Sequence, residues 1–403
     1  MRILFICPAF PPINNAIGEY VKYLSLELLN KGHEIGVLTA TSIEISSVAD
    51  KLKYFDQATF LATKIDNSKI QVLPWISNWA NDFSSCLQTV HSFYKPDVIS
   101  LQYEPYSYHA KGLPIFFIPS ISKLKNIHFS VTFHEVYNRN YIWSNKLYYL
   151  LSVSQKLLAR KISNFSRASF TSLDLFINVF IKSHKPQKLF IGSNIYTPKK
   201  LLEKQYDFFE NGSTRKLVSF GVKDYNKILE ALYILSSAKK IKLEYHIIGN
   251  LPPKLVENLH IKIKSLGIEE LVIIHGFLAN NFIENIFLSS HLFVDANYAD
   301  NKFRGGTTLK SGSLAAAFQF GLPILGYSGD MTDKLLIHNK NIFFTKNSTS
   351  TEIANSINFL LNNPNLLFNL HKGSLNFFSQ QISWDVIADK FTNALNNQNT
   401  AIN

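Results

Sequence analysis

The segment from Gly306 to Pro323, GTTLKSGSLAAAFQFGLP, joins a polar loop to a helix of small residues. We expect Ser313 to cap this helix and the free N–H groups of residues 313 to 316 to carry the positive end of its dipole. Gly312 lets a ligand approach the backbone closely. The pattern is typical of an anion-binding site. A capped core helix has the same punctuation and is the alternative.

A group of lysines is predicted at the same edge of the fold. Lys223 and Lys227 flank the loop after Gly221 at a helix start, where they can neutralise a diphosphate that also meets backbone N–H groups. Lys310 precedes the helix of small residues. Each lysine alone could be a solvated surface residue, but their convergence favours an anion site.

Further polar residues follow the predicted strands of the first half, where parallel sheets bind ligands. Gly18 opens a helix after the first strand, Tyr103 and Glu104 follow a strand at 98 to 102, and His134 and Glu135 follow a strand at 128 to 133. These polar and aromatic groups could bind a sugar or a nucleotide. A plain turn at Gly18 and a structural histidine at His134 are the alternatives.

The elements that position these residues alternate between strand and helix. In the first half we predict strands at 2 to 9, 34 to 40, 98 to 102 and 128 to 133, with a helix from Gly18 to Lys31. In the second half we predict strands at 217 to 221, 245 to 249, 271 to 276 and 291 to 297, with helices at 227 to 237, 254 to 266 and 281 to 289. This alternation predicts an α/β protein with two doubly wound, Rossmann-like domains. The polar segment 198 to 215 is the predicted linker between a domain at 1 to 197 and a domain at 216 to 380.

Length and composition agree with a compact protein of two large domains. The chain has 403 residues, 46% of them hydrophobic and only 17% charged. Its two cysteines, Cys7 and Cys86, exclude a disulfide framework and fit a reducing cytoplasm. The N-terminal run MRILFICPAF is predicted to be a buried strand rather than a signal peptide, and no apolar stretch is long enough to predict a transmembrane helix.

The net charge of +12 calls for a polyanionic partner. Nucleic acid, an anionic membrane surface and phosphorylated small molecules compete, although no nucleic-acid-binding motif is present. The segment 146 to 167, KLYYLLSVSQKLLARKISNFSR, combines lysine and arginine with leucine and tyrosine. It predicts a helix that lies peripherally on the inner face of the cell membrane, or else a surface helix with a solvated basic face.

The order of these motifs resembles GT-B glycosyltransferases of the family 4 type. The segments that carry the resemblance span nearly the whole chain: MRILFICPAFPP, GEYVKYLSLELLNKGHEIGVLTA, PDVISLQYEP, VTFHEVY, LFIGSNI, LVSFGVKDYNKILEAL, YHIIGN, IIHGFL and GSLAAAFQFGLPIL. The resemblance implies two domains that face each other across a cleft, with the acceptor bound mainly by the first and a nucleotide diphosphate sugar mainly by the second. It also implies that residues 381 to 403 form a helix that crosses back to the first domain.

The resemblance also assigns roles to residues. Gly18 would lie near the donor phosphate, His134 near the transferred sugar, and Lys227, with Lys223, on the diphosphate. Thr308, Ser313 and the backbone of 312 to 316, which includes Leu314, would surround sugar, phosphates and ribose. Tyr103, Glu104 and Glu135 are predicted on the acceptor side.

The chain departs from the family pattern at two acidic positions. Family 4 enzymes commonly carry two glutamates eight residues apart before the Gly-x-Pro turn, and this chain has Thr308 and Ala316 there. A subset of relatives with Arg-Arg-Gly-Ser-Leu resembles the segment Lys310 to Leu314 better. We therefore expect an intact pocket with altered donor contacts.

The expected activity is transfer of a hexosyl group from a nucleotide diphosphate sugar to a glycan or lipid-linked acceptor, in surface polysaccharide or glycoconjugate synthesis. Lysines and a helix dipole can stabilise the leaving diphosphate without a metal or a cofactor. The resemblance favours retention; an inverting enzyme would need a carboxylate base, for which Glu104, Glu135 and Asp300 are candidates. The alternatives are a catalytically silent GT-B protein that binds a partner and a nucleotide-sugar epimerase.

Overall fold

The structure is a computed structural model of the chain. It describes residues 1–41, 59–62, 69–124, 127–139, 146–180, 185–195, 214–237, 242–298 and 305–397. Contacts between residues divide the chain into two compact units: unit 1 comprises Met1–Phe190 and Trp384–Asn403, and unit 2 comprises Ile191–Ser383.

Unit 1 is built on an eight-stranded sheet. Its strands are β1 (Arg2–Cys7), β2 (Glu34–Ala40), β3 (Thr59–Ala62), β4 (Lys69–Ile76), β5 (Val98–Tyr103), β6 (His128–Phe133), β7 (Ala168–Thr171) and β8 (Gln187–Lys188). The order is β3-β4-β2-β1-β5-β6-β7-β8, with only the edge strand β3 antiparallel to its neighbour. The side chains of β1 from Ile3 to Cys7 are fully buried, as a parallel strand covered by helices on both faces requires.

Within Met1–Phe190, the described helices of unit 1 are α1 (Ala16–Asn30), α2 (Trp79–Tyr94), α3 (Pro105–Tyr108), α4 (Phe117–Ser122), α5 (Lys146–Asn164) and α6 (Asp174–Ile177). Helix α1 begins where the Asn15 side chain accepts hydrogen bonds from the N–H groups of Ile17 and Gly18. This cap satisfies two donors that have no partner within the helix.

Unit 2 contains a fully parallel sheet of six strands: β9 (Arg215–Phe220), β10 (Leu243–Ile248), β11 (Val272–Gly276), β12 (Leu292–Val294), β13 (Ile324–Gly326) and β14 (Phe343–Phe344). The order β11-β10-β9-β12-β13-β14 is the doubly wound order of a Rossmann fold. The connection reverses direction between β9 and β12, and ligands of such sheets bind outside the strand ends at that point.

The helices of unit 2 cover both faces of this sheet. They are α7 (Asn226–Ser237), α8 (Pro253–Leu266), the 3₁₀ turn Glu269–Leu271, α9 (Asn280–Ser289), α10 (Gly312–Gln319), α11 (Ser350–Leu361) and α12 (Pro364–Phe377), followed by a π-helical turn at Phe378–Ile382. Leu217, Tyr245 and Ile247 of the sheet share one apolar core with residues of α7, α8, α11 and α12.

The last described helix, α13 (Trp384–Asn397), belongs to unit 1. Lys31 Nζ, just after α1, lies 2.7 Å from carboxylate oxygens of both Asp385 and Asp389. The Trp384 ring packs against Tyr20 and Tyr23 of α1. Helix α13 is therefore fastened to the rest of unit 1 by ion pairs and aromatic packing.

The predicted α/β fold with two Rossmann-like sheets is confirmed, and several boundaries differ. The strand predicted at 2 to 9 ends at Cys7, and the strand predicted at 291 to 297 covers only Leu292–Val294, with polar residues after it. The predicted linker at 198 to 215 lies outside the described residues up to 213, and Arg215 already begins β9. Within the part of the chain that the structure describes, no helix is long and apolar enough to cross a membrane.

Candidate functional site

At the carboxyl edge of the unit 2 sheet, the loops after β9 and β12 contact each other through two lysines. Lys223 Nζ donates a hydrogen bond of 2.8 Å to Asn297 Oδ1. Lys227 Nζ lies 4.9 Å from the centre of the Tyr298 ring and donates to Ser348 Oγ at 3.2 Å. The two predicted lysines thus contact consecutive residues of one loop, at the point where the strand order reverses.

Two glycines bring backbone close to backbone beside these lysines. Gly221 has φ of +104° and Gly249 has φ of +146°, a region that favours glycine. A Cβ on Gly249 would lie 3.2 Å from Gly221 Cα, so a larger residue would push the two loops apart. A Cβ on Gly221 would lie 3.8 Å from Ser313 Oγ, which places the start of α10 beside the loop after β9.

Helix α10 begins earlier in the chain than expected. The Ser311 side chain, not that of Ser313, caps the helix by accepting from Leu314 N at 3.3 Å. The prediction that Ser313 is the cap is therefore wrong, because the helix already begins at Gly312. The Ser313 hydroxyl lies 2.9 Å from Ser311 Oγ.

The cap changes which N–H groups of α10 can meet a ligand. Ala315 N already donates to Ser311 O at 3.0 Å, and Leu314 N is capped. Among the described residues, no acceptor takes the N–H groups of Gly312 and Ser313. Within the described residues, the N–H groups of Gly312 and Ser313, rather than the four predicted at 313 to 316, can therefore donate to a ligand at the positive end of the helix dipole.

A buried carboxyl group, that of Asp295, lies close to Lys223. Asp295 directly follows β12 and accepts from Asn297 N at 3.3 Å. Burial raises the pKa of this carboxyl group, while the nearby Lys223 ammonium and the Thr307 hydroxyl partly offset the rise. Asn297 therefore connects Asp295, through its backbone, to Lys223, through its side chain.

Thr307 fastens the polar loop before α10 to the sheet. Its backbone N donates to Tyr327 O at 2.8 Å, and its hydroxyl accepts from Tyr327 N at 2.9 Å. Gly306 has φ of +90°, and a Cβ there would lie 2.7 Å from Gly329 N. The glycine therefore lets the loop lie directly against the segment after β13.

The other residues predicted to bind the nucleotide sugar differ in how much of each is exposed to solvent. Thr308 is buried, and its hydroxyl accepts from Lys310 N at 3.3 Å, while Lys310 is partly exposed. The Leu314 side chain lies in the core, so only its backbone could meet a ligand. Gly312 is packed closely, because a Cβ there would lie 3.2 Å from Asn194 Cβ.

In unit 1, Gly18 and His134 are both held by neighbouring residues. Gly18 N donates to the Asn15 cap at 3.0 Å, and a Cβ on Gly18 would lie 2.5 Å from Ala9 O. His134 is buried, its Nε2 lies 2.9 Å from Gln102 Oε1, and its ring meets Tyr20 edge to face. The close packing explains the glycine at 18, and the hydrogen bond fixes the orientation of the imidazole.

The three predicted acceptor residues lie near the ends of β5 and β6. Glu104 caps α3 and accepts from Ser107 N at 2.6 Å. Tyr103 is fully buried, with its ring packed edge to face on Phe133. Glu135 is partly exposed, and its backbone N donates to Tyr103 O at 3.4 Å. Of the three, the carboxylate of Glu104 is thus engaged in capping a helix, and the ring of Tyr103 belongs to the core.

The structure thus brings together Gly221, Lys223, Lys227 and Ser313 at one edge of unit 2. Sequence reasoning missed Asp295, Asn297, Tyr298 and Ser348 at the same edge. The strand was predicted to run to residue 297, which hid the loop after it. Had it been predicted to end at Val294, then Asp295, Asn297 and Tyr298 would have been candidates as loop residues at the carboxyl end of a strand. Ser348 had no such signal, because it contacts Lys227 from far along the chain. Groups of three or more His, Cys, Asp or Glu side chains that could hold a metal ion are absent from the described residues.

Residues 219–377, which lie within unit 2, match the family described as Glycosyl transferases group 1. None of the curated proteins matches the chain. Among solved structures, HepE of Anabaena in complex with UDP is 15% identical with a TM-score of 0.67, over 98% of this chain and 100% of HepE. A glycosyltransferase from Rickettsia africae is 13% identical with a TM-score of 0.67, over 99% of both chains. Sucrose-phosphate synthase of Thermosynechococcus elongatus is 12% identical with a TM-score of 0.66, over 100% of both chains.

The two sheets of this chain, parallel except at the edge strand β3, reproduce the GT-B architecture of these structural matches. The family match covers the sheet edge at which the lysines meet. The chain is a glycosyltransferase of the GT-B fold, with its glycosyl transferases group 1 domain in unit 2.

Proposed function

We propose that this glycosyltransferase uses a nucleotide diphosphate sugar and that the diphosphate binds at the carboxyl edge of the unit 2 sheet. The observation that carries the proposal is that Lys223 and Lys227 contact the consecutive residues Asn297 and Tyr298. The N–H groups of Gly312 and Ser313 begin α10 at the same edge. Two ammonium groups and a helix N-terminus together suit a ligand with two adjacent negative charges.

UDP is the nucleotide to test first, because HepE was solved with UDP and with UDP-glucose. The family 4 type is our proposal for the subclass, in a variant without the paired glutamates. Ala316 is completely buried in α10, so a glutamate there would bury a charge or displace the helix. The ribose would then be held by other contacts than a carboxylate at this position.

For the mechanism, we propose retention without a metal. Negative charge grows on the leaving diphosphate as the glycosidic bond breaks, and the lysines would stabilise it. A phosphate oxygen can then take the proton of the acceptor hydroxyl. Of the three carboxylates that could serve as an inverting base, Glu104 is already engaged as the cap of α3, Glu135 is partly exposed, and Asp300 lies outside the described residues. His134, oriented by Gln102, would lie near the transferred sugar.

For the acceptor, we propose a glycan or a lipid-linked precursor bound on the side of unit 1, in surface polysaccharide or glycoconjugate synthesis. A cytoplasmic protein with peripheral membrane contact is the corresponding location. The exposed apolar residues of α5 support an acceptor that is met at a lipid surface.

A donor screen by titration calorimetry tests the proposal, with UDP, GDP, ADP and their sugars, followed by an assay of sugar transfer or donor hydrolysis. We expect one nucleotide to bind selectively and Lys227→Ala to weaken its binding by about 10- to 100-fold, since a hydrogen bond to a charged group contributes about 1.5–3 kcal/mol. Lys254→Ala is the matched control, because Lys254 is an exposed lysine in the first turn of α8.

The two alternatives give different results in the same screen. If no nucleoside diphosphate binds, the chain is instead a catalytically silent GT-B protein that binds a partner. If a nucleotide sugar binds and is converted to its epimer without any acceptor, the epimerase alternative replaces transfer.

A further inference from the structure

Helix α5 of unit 1 exposes large apolar side chains that nothing in the site of unit 2 requires. Leu147 is 72% exposed, Leu150 is 59% exposed and Leu157 is 56% exposed. Tyr148 and Tyr149 beside them are also exposed, each by somewhat less than half. Single exposed leucines are ordinary, but several of them on one helix indicate a contact surface.

The three leucines lie on one stripe of the helix. Positions 147, 150, 154, 157 and 161 follow the spacing of three and four residues that aligns side chains on a helix face. Leu147, Leu150 and Leu157 occupy three of these positions, while Ser154 and the exposed Lys161 occupy the other two. The opposite stripe, which includes Gln155, Leu158 and Ile162, is buried against unit 1.

Hydrogen bonds fix which stripe faces outward. Gln155 is completely buried and donates from Nε2 to Tyr106 OH at 2.7 Å and to Lys111 O at 3.1 Å. Its Oε1 accepts from Asn138 N at 3.0 Å. Arg160 Nε also donates to Val179 O at 2.7 Å. Turning the leucines inward would break these bonds and leave buried polar groups unpaired.

The charges of the same segment select the partner. Between residues 146 and 167 there are five lysines and arginines and no aspartate or glutamate. Lys146 and Lys161 are exposed, one at the start of the leucine stripe and one at its far end. Tyrosines suit the boundary between water and hydrocarbon because they combine an apolar ring with a hydroxyl. A surface that is apolar and carries basic but no acidic side chains matches an anionic lipid bilayer.

We propose that helix α5 docks unit 1 on anionic membranes, with Leu147, Leu150 and Leu157 inserted among the lipid chains and Lys146 and Lys161 on the lipid phosphates. This docking is independent of the proposed donor site, because every residue that it uses lies in unit 1. It requires no membrane-spanning segment.

Vesicle flotation of the full chain tests the proposal, with phosphatidylcholine vesicles that contain about 30% phosphatidylglycerol or none. We expect binding to the anionic vesicles, weaker binding to the neutral ones, and a decrease with added salt. The variant Leu147→Ser, Leu150→Ser, Leu157→Ser should lose about tenfold or more in affinity for anionic vesicles. Lys146→Gln with Lys161→Gln should lose about tenfold on anionic vesicles and little on neutral ones.

A matched control removes three equally exposed apolar residues from unit 2: Ile261→Ser, Phe277→Ser and Phe282→Ser. We expect this control to bind vesicles as the parent protein does. The proposal is overturned if the parent protein ignores anionic vesicles or if the leucine variant binds as well as the parent. It is equally overturned if the leucines hold a protein dimer, detected by sedimentation, that shows no affinity for lipid.

A second readout does not depend on the stability of the triple variant. Cys7 and Cys86 are buried, so a dye that senses polarity can be attached selectively to Leu150→Cys or to Ile261→Cys. We expect the emission of the label at 150 to shift to the blue on anionic vesicles, while the label at 261 does not respond. Equal responses at both positions would contradict docking through α5.

Discussion

Lys223 Nζ donates to Asn297 Oδ1 over 2.8 Å, and this bond joins the loop after β9 to the loop after β12. The two loops flank the position where the sheet of unit 2 reverses its strand order. The same asparagine donates from its backbone to the buried Asp295. One residue therefore couples the orientation of a cation at the surface to a carboxyl group in the core.

Substitution of Asn297 tests what this bond does. If Asn297 orients Lys223 toward a diphosphate, Asn297→Ala should weaken nucleotide binding by about three- to tenfold, since a neutral hydrogen bond contributes about 1 kcal/mol. Lys223→Ala should weaken it further, by about tenfold or more. Titration calorimetry with the nucleotide chosen by the donor screen measures both. If Asn297→Ala binds the nucleotide more tightly, the asparagine holds the lysine back instead.

Substitution of Ser311 and of Ser313, at the start of α10, should have different effects on the free energy of unfolding and on nucleotide binding. Ser311→Ala removes the helix cap and should lower the free energy of unfolding by about 1 kcal/mol. Ser313→Ala keeps the cap, so we expect a change in stability below about 0.5 kcal/mol but weaker nucleotide binding. Thermal denaturation and calorimetry on both variants give the comparison. Equal losses of stability would contradict the assignment of Ser311 as the cap.

Asp295 should make unit 2 less stable as the pH rises. Burial raises its pKa in the folded chain above the ordinary value of 3.8, so its protonated form contributes stability that is lost as the pH rises through the folded pKa. An amide at this position carries no charge at any pH, so the Asp295→Asn variant should gain in melting temperature relative to the parent at pH 7.5, and less at pH 4.5. The exposed Asp224→Asn, on the neighbouring loop, is the control. A variant that melts lower at pH 7.5 would show that the attraction of Lys223 outweighs the cost of burial.

The architecture of both units could be predicted from the sequence because each strand is a short apolar run followed by a helical pattern. Hydrophobic periodicity is a local property, and β1, β9 and β10 all show it clearly. No element was predicted between residues 41 and 97, so β3, β4 and α2 were missed, although β4 is also an apolar run that is followed by an amphipathic helix. The edge strand β3 and its partner β4 are antiparallel, a pairing that depends on register as well as on local composition.

The site was predicted less completely than the fold. The lysines and the helix start could be found because polar residues after a strand, or before a helix of small residues, are visible in the sequence. The contacts between Lys223 and Asn297 and between Lys227 and Ser348 join residues 74 and 121 positions apart, and no local pattern predicts them. The register of the α10 cap was also unpredictable, since either of two nearby serines can cap a helix.

His291 should make unit 2 less stable in acid, the opposite direction to Asp295. Burial, with Arg215 and Lys216 nearby, lowers the pKa of His291 from 6.5 to about 4, and its Nδ1 accepts from Lys216 N at 3.1 Å. The neutral ring therefore contributes stability that is fully present above pH 6.5 and is lost as the pH falls toward about 4. The loss is at most about 3 kcal/mol and is reduced by the partial exposure of the ring.

Substitution of His291 by asparagine separates the hydrogen bond from the titration. In His291→Asn the amide oxygen can accept the same bond without titrating, so its melting temperature should fall less than that of the parent between pH 7.5 and pH 4.5. The exposed His260→Asn is the control, and it should follow the parent protein over this range. If His291→Asn loses as much stability in acid as the parent, protonation of His291 does not drive the acid sensitivity of unit 2.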